Sequence, residues 1–432
     1  MPGRTQCPPL RTTFLSDLLA SLVVFLVALP LCLGIAIASG VPPALGLVTG
    51  IVGGLVVGVL QGSPISVSGP AAGLTVIVAG IVDDGGVVLL SAVGLACGLL
   101  QIAAGLAGSG RWFRAVPPAL IHGMLAGIGV LIVASQSHVM VDDEPAGHGL
   151  ENIVRLPAAV LAIFRGDATH TEAAMVGLLT IGTLLAWKRF APGRLRLFPA
   201  TLVGVGVATL ITNVAGLPIA RVEIPGDVFS VTQVLSADAL ALLGRLDTWS
   251  TAFALAVVAS AETLLCVGAV DRMAGGAATD YDRELRAQGV GNTLCGLLGA
   301  LPMTAVIVRS STNLQAGARS RASTILHGTW LLALVALAPW VLRSVAVSSL
   351  AAVLVYTGWK LIDRTALAEL RRHGGSELTV YAVTLGAIVV TDLLIGIIIG
   401  VIVDWEALRR SRNAEAGGDG DSATGNLAPT GP

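Results

Sequence analysis

The chain has 432 residues, of which 54% are hydrophobic and 12% charged, with mean hydropathy +0.83 and a net charge of −1. A soluble globular domain carries about 25% charged residues, so this is the composition of a polytopic membrane protein. A balance so close to neutral leaves no electrostatic footprint for nucleic acid.

Residues 1–16 carry Arg4 and Arg11 and no acidic group, which predicts a cytoplasmic N-terminus. No cleavable signal peptide is evident, because the first apolar run, from Leu18, is long enough to span. The first span is expected over Asp17–Ser39, broken by Pro30, and the second over Ala44–Leu60, after the turn Gly40-Val41-Pro42-Pro43. Residues 62–73 read GSPISVSGPAAG. Ile65-Ser66-Val67-Ser68 alternates as a strand does, and Pro70 fits the first position of a helix running to Val82. An acidic outer turn, Asp83-Asp84-Gly85-Gly86, precedes a fourth span over Val87–Ala107, with Arg111 and Arg114 inside. The fifth span covers Pro117–Ala134, and Asp142-Asp143-Glu144 mark the outside. Leu150–Phe164 reads as interfacial, Ala173–Trp187 as the sixth span closed by Lys188, Arg189, Arg194 and Arg196, and Phe198–Gly216 as the seventh.

The longest polar interruption, Gly216–Arg245, divides the chain into 1–16 (N-terminus), 17–216, an extracytoplasmic connection 217–246, a second half 247–410, and a cytoplasmic tail 411–432. The eighth span, Trp249–Val270, contains Glu262; a charged inner loop, Asp271–Arg286, leads to a ninth over Gln288–Leu301. Residues 301–317 then read LPMTAVIVRSSTNLQAG. Val306-Ile307-Val308 is β-branched and Ser310-Ser311-Thr312-Asn313 is rich in N-cap residues. That predicts a strand, then a helix start, with Arg309 at the junction. Spans follow over Ser323–Trp340 and Ser344–Leu361, an amphipathic cytoplasmic helix over Asp363–His373, and two closely joined spans over Leu378–Asp392 and Leu393–Leu408. Arg409, Arg410 and Arg412 end inside, and the Gly-, Asp- and Ala-rich tail reads as disordered.

Each half has its broken element in third place, residues 62–82 and 301–319. Seven elements per half is odd, so the halves must be inverted relative to one another. The fold class is therefore an all-α membrane protein of 14 transmembrane elements in a 7+7 inverted repeat. Paired broken segments at matching positions point to a midplane substrate site. A helix start in a bilayer exposes orphan N–H groups and the positive end of its dipole, which suits an anion, and a guanidinium strengthens that reading. Four of the five cysteines lie in apolar spans and the six histidines have no ligand spacing, so neither metal nor cofactor is expected. No H-E-x-x-H motif supports an intramembrane metalloprotease, and no enzyme activity is expected.

The sequence resembles the SulP anion permeases, relatives of the solute-carrier anion exchangers that include prestin and pendrin. The residues carrying the match are Ala28-Leu29-Pro30 with Gly34-Ile35-Ala36, Ser66-Val67-Ser68-Gly69-Pro70, and Ala261-Glu262-Thr263-Leu264-Leu265. It continues through Glu284-Leu285-Arg286-Ala287-Gln288-Gly289, Gly291-Asn292, Leu301-Pro302, Arg309-Ser310, Asn313 and Gly317-Ala318-Arg319. The resemblance implies core and gate domains, elevator-type alternating access in an inner cell membrane with both termini cytoplasmic, and an anion between the third and tenth elements. Family members usually continue into a STAS domain; only residues 411–432 follow the last span here, so that module is expected to be missing. Many members have Gln or an acidic residue after the first-span proline, where this chain has Leu31. Leu-Pro-Leu-Cys-Leu-Gly is similar to bacterial members linked to carbonic anhydrase, which favours bicarbonate, with sulfate close behind. A homodimer is compatible with the family.

The roles implied fall on named residues. Ser68, Gly69, Pro70, Ala71 and Ala72 would form one helix start, and Val308, Arg309 and Ser310 the other. Leu31 and Ile35 would form an apolar wall. Glu262 would face the same cavity, as a protonated group, a ligand for a coupling Na⁺, or a partner of Arg309 when the site is empty. The alternatives are a dicarboxylate or other anion exchanger or channel of the same fold, and a nucleobase permease, whose ring-stacking, carboxylate-based site fits poorly with Arg309.

Overall fold

In lipid every backbone polar group must be satisfied within the protein, and helices do this segment by segment. The computed structural model is accordingly built almost wholly of helices. It describes residues 10–110, 117–145, 149–163, 168–192, 195, 198–223, 232, 234–275, 279–373, 375–391 and 393–421. Arg4, Arg111, Arg114, Arg194 and Arg196, on which part of the inside assignment rests, lie outside the described residues, as do 224–231 of the central connection and residues 422–432 of the tail.

The chain opens with α1 (Leu10–Ala38) and α2 (Pro43–Val52), which continues through a π-turn over Gly53–Val57 into α3 (Gly58–Leu60). A short strand β1 (Ser68–Pro70) leads through a 3₁₀ turn, Ala72–Leu74, into α4 (Thr75–Leu106). Next come α5 (Pro118–Met140), α6 (Gly149–Ile163), α7 (Ala168–Phe190), α8 (Ala200–Ala215) and α9 (Ala237–Leu242). The later part holds α10 (Leu246–Ala274), α11 (Tyr281–Leu297), a second strand β2 (Met303–Ala305), α12 (Ile307–Gln315), α13 (Ala322–Leu337), α14 (Pro339–Arg343) and α15 (Val347–Leu361). It ends with α16 (Arg364–His373), α17 (Gly375–Val390) and α18 (Leu393–Asp421). Among the described residues six helical stretches are long and apolar enough to cross a membrane: Thr13–Ala38, Pro43–Leu60, Ala72–Leu106, Pro118–Met140, Thr169–Phe190 and Leu246–Ala274.

The chain divides into two units, Met1–Ala115 with Leu131–Trp359, and Val116–Val130 with Lys360–Pro432. In the first, the later half of α4 packs against α11 with glycines on both sides. A Cβ on Gly98 would stand 2.3 Å from the Thr293 nitrogen, and one on Gly296 2.2 Å from the Leu95 nitrogen. Such close backbone approach is how small residues bind helices together in lipid. In the second unit, Ala119, Leu120 and Ala126 of α5 share a core with Leu370 of α16 and with Val380 and Tyr381 of α17.

Several expected boundaries move. Pro30 does not break the first helix; α1 runs through it, losing only the bond that its missing N–H would have made. The turn expected at Asp83–Gly86 narrows to a break within α4, where Gly85 and Gly86 leave helical geometry and Gly86 takes φ +65°. The helix of the expected ninth span, α11, starts at Tyr281 and not at Gln288, because Asp280 caps it by accepting the Arg283 N–H. The tail expected to be disordered is helical through Asp421, carried by good helix formers such as Ala407-Leu408-Arg409-Arg410 and Ala414-Glu415-Ala416.

Candidate functional site

The two broken elements meet as a ribbon. Strands β1 and β2 pair antiparallel, Ser68 opposite Ala305, Gly69 opposite Thr304, and Pro70 opposite Met303. Each strand is followed by a helix start, and the antiparallel register sends those starts out from opposite ends of the ribbon. The expected positions shift by a few residues. The second strand is Met303–Ala305 and not Val306–Val308, and its helix opens at Ile307, before the Ser/Thr run. The first strand is Ser68–Pro70 and not Ile65–Ser68, so Pro70 lies in the ribbon and the helix begins at Ala72. Proline is tolerated there because a short ribbon leaves N–H positions outside the ladder.

Helix geometry leaves the N–H groups of Ile307, Val308 and Arg309 at one start, and of Ala72 and Gly73 at the other, without an acceptor in their own helix. Ser310, expected among these donors, is already used. Its N–H donates to the Val306 carbonyl at 2.9 Å. Its Oγ donates to the same carbonyl at 2.8 Å and accepts the Val67 N–H at 2.9 Å. Ser310 therefore clamps the entry to β1. Asn313 and Thr324 assist by donating to the Ile65 and Ser66 carbonyls, at 2.8 and 3.1 Å.

Arg309 is 0% exposed, the largest fully buried side chain among the described residues. Nη2 donates to the Pro70 carbonyl at 3.3 Å. Nη1 lies across Gly69, only 2.1 Å from where a Cβ would stand, so residue 69 must be glycine for the guanidinium to lie there. Among the described residues Nε and Nη1 have no hydrogen-bond partner.

Glu262 stands elsewhere. Both carboxyl oxygens lie within 2.9 Å of the Cβ position of Gly73, at the opening turn of α4, and Oε2 is buried with no partner among the described residues. Ionic contacts between described residues include His138–Asp143, Arg155–Glu151 and Arg245–Asp247. Of the three options for Glu262, the pair with Arg309 is not the arrangement seen: Arg309 Nη1 lies against Gly69 and the Glu262 carboxyl against Gly73, and Glu262 Oε2 and Arg309 Nε and Nη1 are without partners among the described residues. Next to Glu262, Thr263 Oγ1 accepts the Ala305 N–H at 3.2 Å and fixes α10 to β2. Leu31 and Ile35 are buried at 4% and 2% exposure and share one face of α1, the helix that also carries Cys32.

Sequence reasoning missed the face of α11 that holds the ribbon. Glu284, Gln288 and Asn292 recur every four residues and so line one side of the helix. Glu284 Oε2 accepts the N–H groups of Gly62 and Ser63, at 2.8 and 3.1 Å. Gln288 Nε2 donates to Ser68 Oγ at 2.6 Å. Asn292 reads both backbone groups of Met303: Oδ1 accepts its N–H at 2.7 Å and Nδ2 donates to its carbonyl at 3.1 Å. Asn292 Nδ2 also donates to Gln101 Oε1 of α4 at 2.7 Å, and Gln101 Nε2 donates to Ser260 Oγ of α10 at 3.1 Å. The signal was present as polar residues spaced by four, but placing 271–286 in a loop and starting the span at Gln288 hid it.

A family model described as the sulfate permease family matches residues 14–384. YvdB of Bacillus subtilis, which carries a provisional sulfate-transporter name, is 30% identical over 353 residues, 79% of this chain and 63% of that protein. The bicarbonate transporter BicA of Synechocystis is 27% identical over 370 residues, 79% of this chain and 60% of that protein. The chain thus spans less than two thirds of the length of these relatives. The structure of the transmembrane domain of a cyanobacterial BicA superposes with a TM-score of 0.77 at 22% identity, covering 91% of this chain and 98% of that one. The fold is that of a helical, multi-pass membrane transporter.

Proposed function

The chain belongs to the sulfate permease family, and on that premise we propose that it carries a small inorganic anion, bicarbonate or sulfate, across a cell membrane. The observation that carries the reading is Arg309, a buried guanidinium whose Nε and Nη1 have no hydrogen-bond partner among the described residues. A buried charge is costly unless paired, so its counter-charge is the transported anion. Two helix starts with orphan N–H groups add a favourable field. Substrate contacts fall to Ala72, Val308 and Arg309, with Ser68, Gly69, Pro70, Ala71 and Ser310 shaping the ribbon and Leu31 and Ile35 forming an apolar wall.

The transport cycle in this reading is elevator-type, between inverted repeats over 17–216 and 247–410. Support comes from the paired strand-plus-helix elements, one in each half. Glu262 is the coupling candidate, for Na⁺ or for a proton, supported by a buried carboxyl oxygen that lacks a donor. The name of BicA supports bicarbonate, that of YvdB sulfate. Uptake of radiolabelled bicarbonate, sulfate and a dicarboxylate into proteoliposomes, with imposed Na⁺ or proton gradients, tests the proposal. Saturable, trans-stimulated uptake of one of the inorganic anions is expected; non-saturating flux indicates a channel, and no flux of any of them ends the reading.

A further inference from the structure

The last turn of α5 carries a histidine with no part in the anion site. His138 is buried, and each of its ring nitrogens has a partner. Nδ1 lies 2.8 Å from Asp143 Oδ2, and Nε2 lies 2.9 Å from the Asn152 carbonyl of α6. The turn after α5 puts Asp143 in place. Asp142 takes a left-handed φ of 59°, a conformation aspartate tolerates, and the Asp143 N–H donates to the His138 carbonyl at 3.0 Å. Asp143 therefore returns to His138 through both its backbone and its side chain. Around this point the end of α5 packs on α6 and α7. Gly149 of α6 meets Leu131, Gly177 of α7 meets Met140, and Val141, Ala159 and Ala174 share a small core.

Both partners of the ring are acceptors. A backbone carbonyl can only accept, so Nε2 carries a proton; an ionised carboxylate can only accept, so Nδ1 carries one too. The arrangement is an imidazolium bonded to a carboxylate. Drawn instead with an Asp143 O–H donating to a neutral ring, it holds the same number of protons. Remove one, and a bare ring nitrogen faces a bare carboxylate. Turning the ring over does not help, because the bare nitrogen then faces the Asn152 carbonyl. The Asp143 side chain is 41% exposed, so the proton can pass to solvent although the ring itself is enclosed. Other charged groups near this turn are Asp142 and Glu144, which flank Asp143. From α6 come Glu151 and Arg155, which pair with each other at 2.5 Å, and from the first turn of α7 come His170 and Glu172.

We propose that His138 and Asp143 form a pH-sensitive latch. While the pair keeps its shared proton it holds the start of α6 on the end of α5; when that proton is lost, the start of α6 is released. The latch does not depend on what the chain carries.

Amide hydrogen exchange over residues 149–156, with the whole chain in lipid nanodiscs, tests this from about pH 5 to about pH 9, a range that brackets the charge change of imidazole. Exchange speeds with pH in any protein, so wild type is compared at each pH with Asp143→Asn. There the side-chain amide can donate to Nδ1 of a neutral ring while Nε2–H keeps the Asn152 carbonyl, so the latch persists without the shared proton. The two proteins should exchange alike at the acid end. At the alkaline end wild type should exchange roughly tenfold faster, the loss of about one buried hydrogen bond. His138→Leu should exchange fast at both ends; if it does not fold, His138→Gln takes its place and should show no step with pH beyond that of Asp143→Asn. A wild-type to Asp143→Asn ratio that stays constant with pH overturns the latch. A step of equal size in both proteins does the same, and moves the titration to other groups such as His170 or Glu172.

Discussion

At the scale of single residues, two glycines determine where the charges of the site lie. Gly69 lets the Arg309 guanidinium cross the ribbon, and Gly73 gives room to the Glu262 carboxyl. In Gly69→Ala the new methyl would stand 2.1 Å from Nη1, so Arg309 must move. Overpacking of this kind costs about 1–3 kcal/mol. Anion affinity should fall with stability, which parallel binding and thermal-unfolding measurements would show. Arg309→Ala should remove a charge-assisted contact of roughly 1.5–3 kcal/mol, about ten- to a hundred-fold in affinity. It should not unfold the protein, because no buried carboxylate is left behind. Wild-type affinity in that variant would leave the helix starts as the binding groups. Glu262→Gln separates coupling from binding. Gradient-driven accumulation should be abolished while exchange persists, and unchanged accumulation at equal expression would reduce Glu262 to a structural role.

Among the elements, α11 does the positioning. Its polar face holds the loop before β1, β1 itself and β2 through Glu284, Gln288 and Asn292. Asn292→Ala would leave the Met303 N–H, its carbonyl and Gln101 Oε1 short of a partner, at about 1–3 kcal/mol for each buried group left unsatisfied. A large drop in thermal stability is therefore expected, far beyond that of Arg309→Ala. Helix α16 offers a pH-dependent contrast. Asp363 accepts from the Thr365 hydroxyl and from the N–H groups of Thr365 and Ala366, at 2.6, 2.8 and 3.3 Å. These bonds, the Thr365 hydroxyl foremost, hold its carboxyl below the usual value. A lowered folded value stabilises above the unfolded value and is lost as pH falls through the folded one. Acidification should thus weaken the wild type more than Asp363→Asn, read as thermal stability against pH.

For the whole molecule, composition demands a membrane, and the helices comply. Basic residues at Lys188, Arg189 and Arg409 and acidic ones at Asp142 and Asp143 should lie on opposite sides. An impermeant thiol reagent on sealed, right-side-out vesicles should label Asp143→Cys and spare Ser16→Cys and Ser411→Cys. Labelling of all three from outside would end the two-sided topology.

The sequence alone determined the class of protein, the existence of two broken elements, and the placing of Arg309 beside a helix start. Each follows from local physics: hydropathy, β-branching and capping residues act within a few positions along the chain. It did not determine which residues form the strands. Val306–Ile307–Val308 has strand propensity, yet pairing with Ser68–Pro70 goes to Met303–Ala305, because register is a property of two segments far apart in the chain. Nor could it separate Arg309 from Glu262. Opposite charges in neighbouring elements suggest a pair, but only packing reveals that each lies against its own glycine. His327 was one of six histidines without ligand spacing, and only the tertiary structure reveals that it is buried with neither ring nitrogen bonded among the described residues.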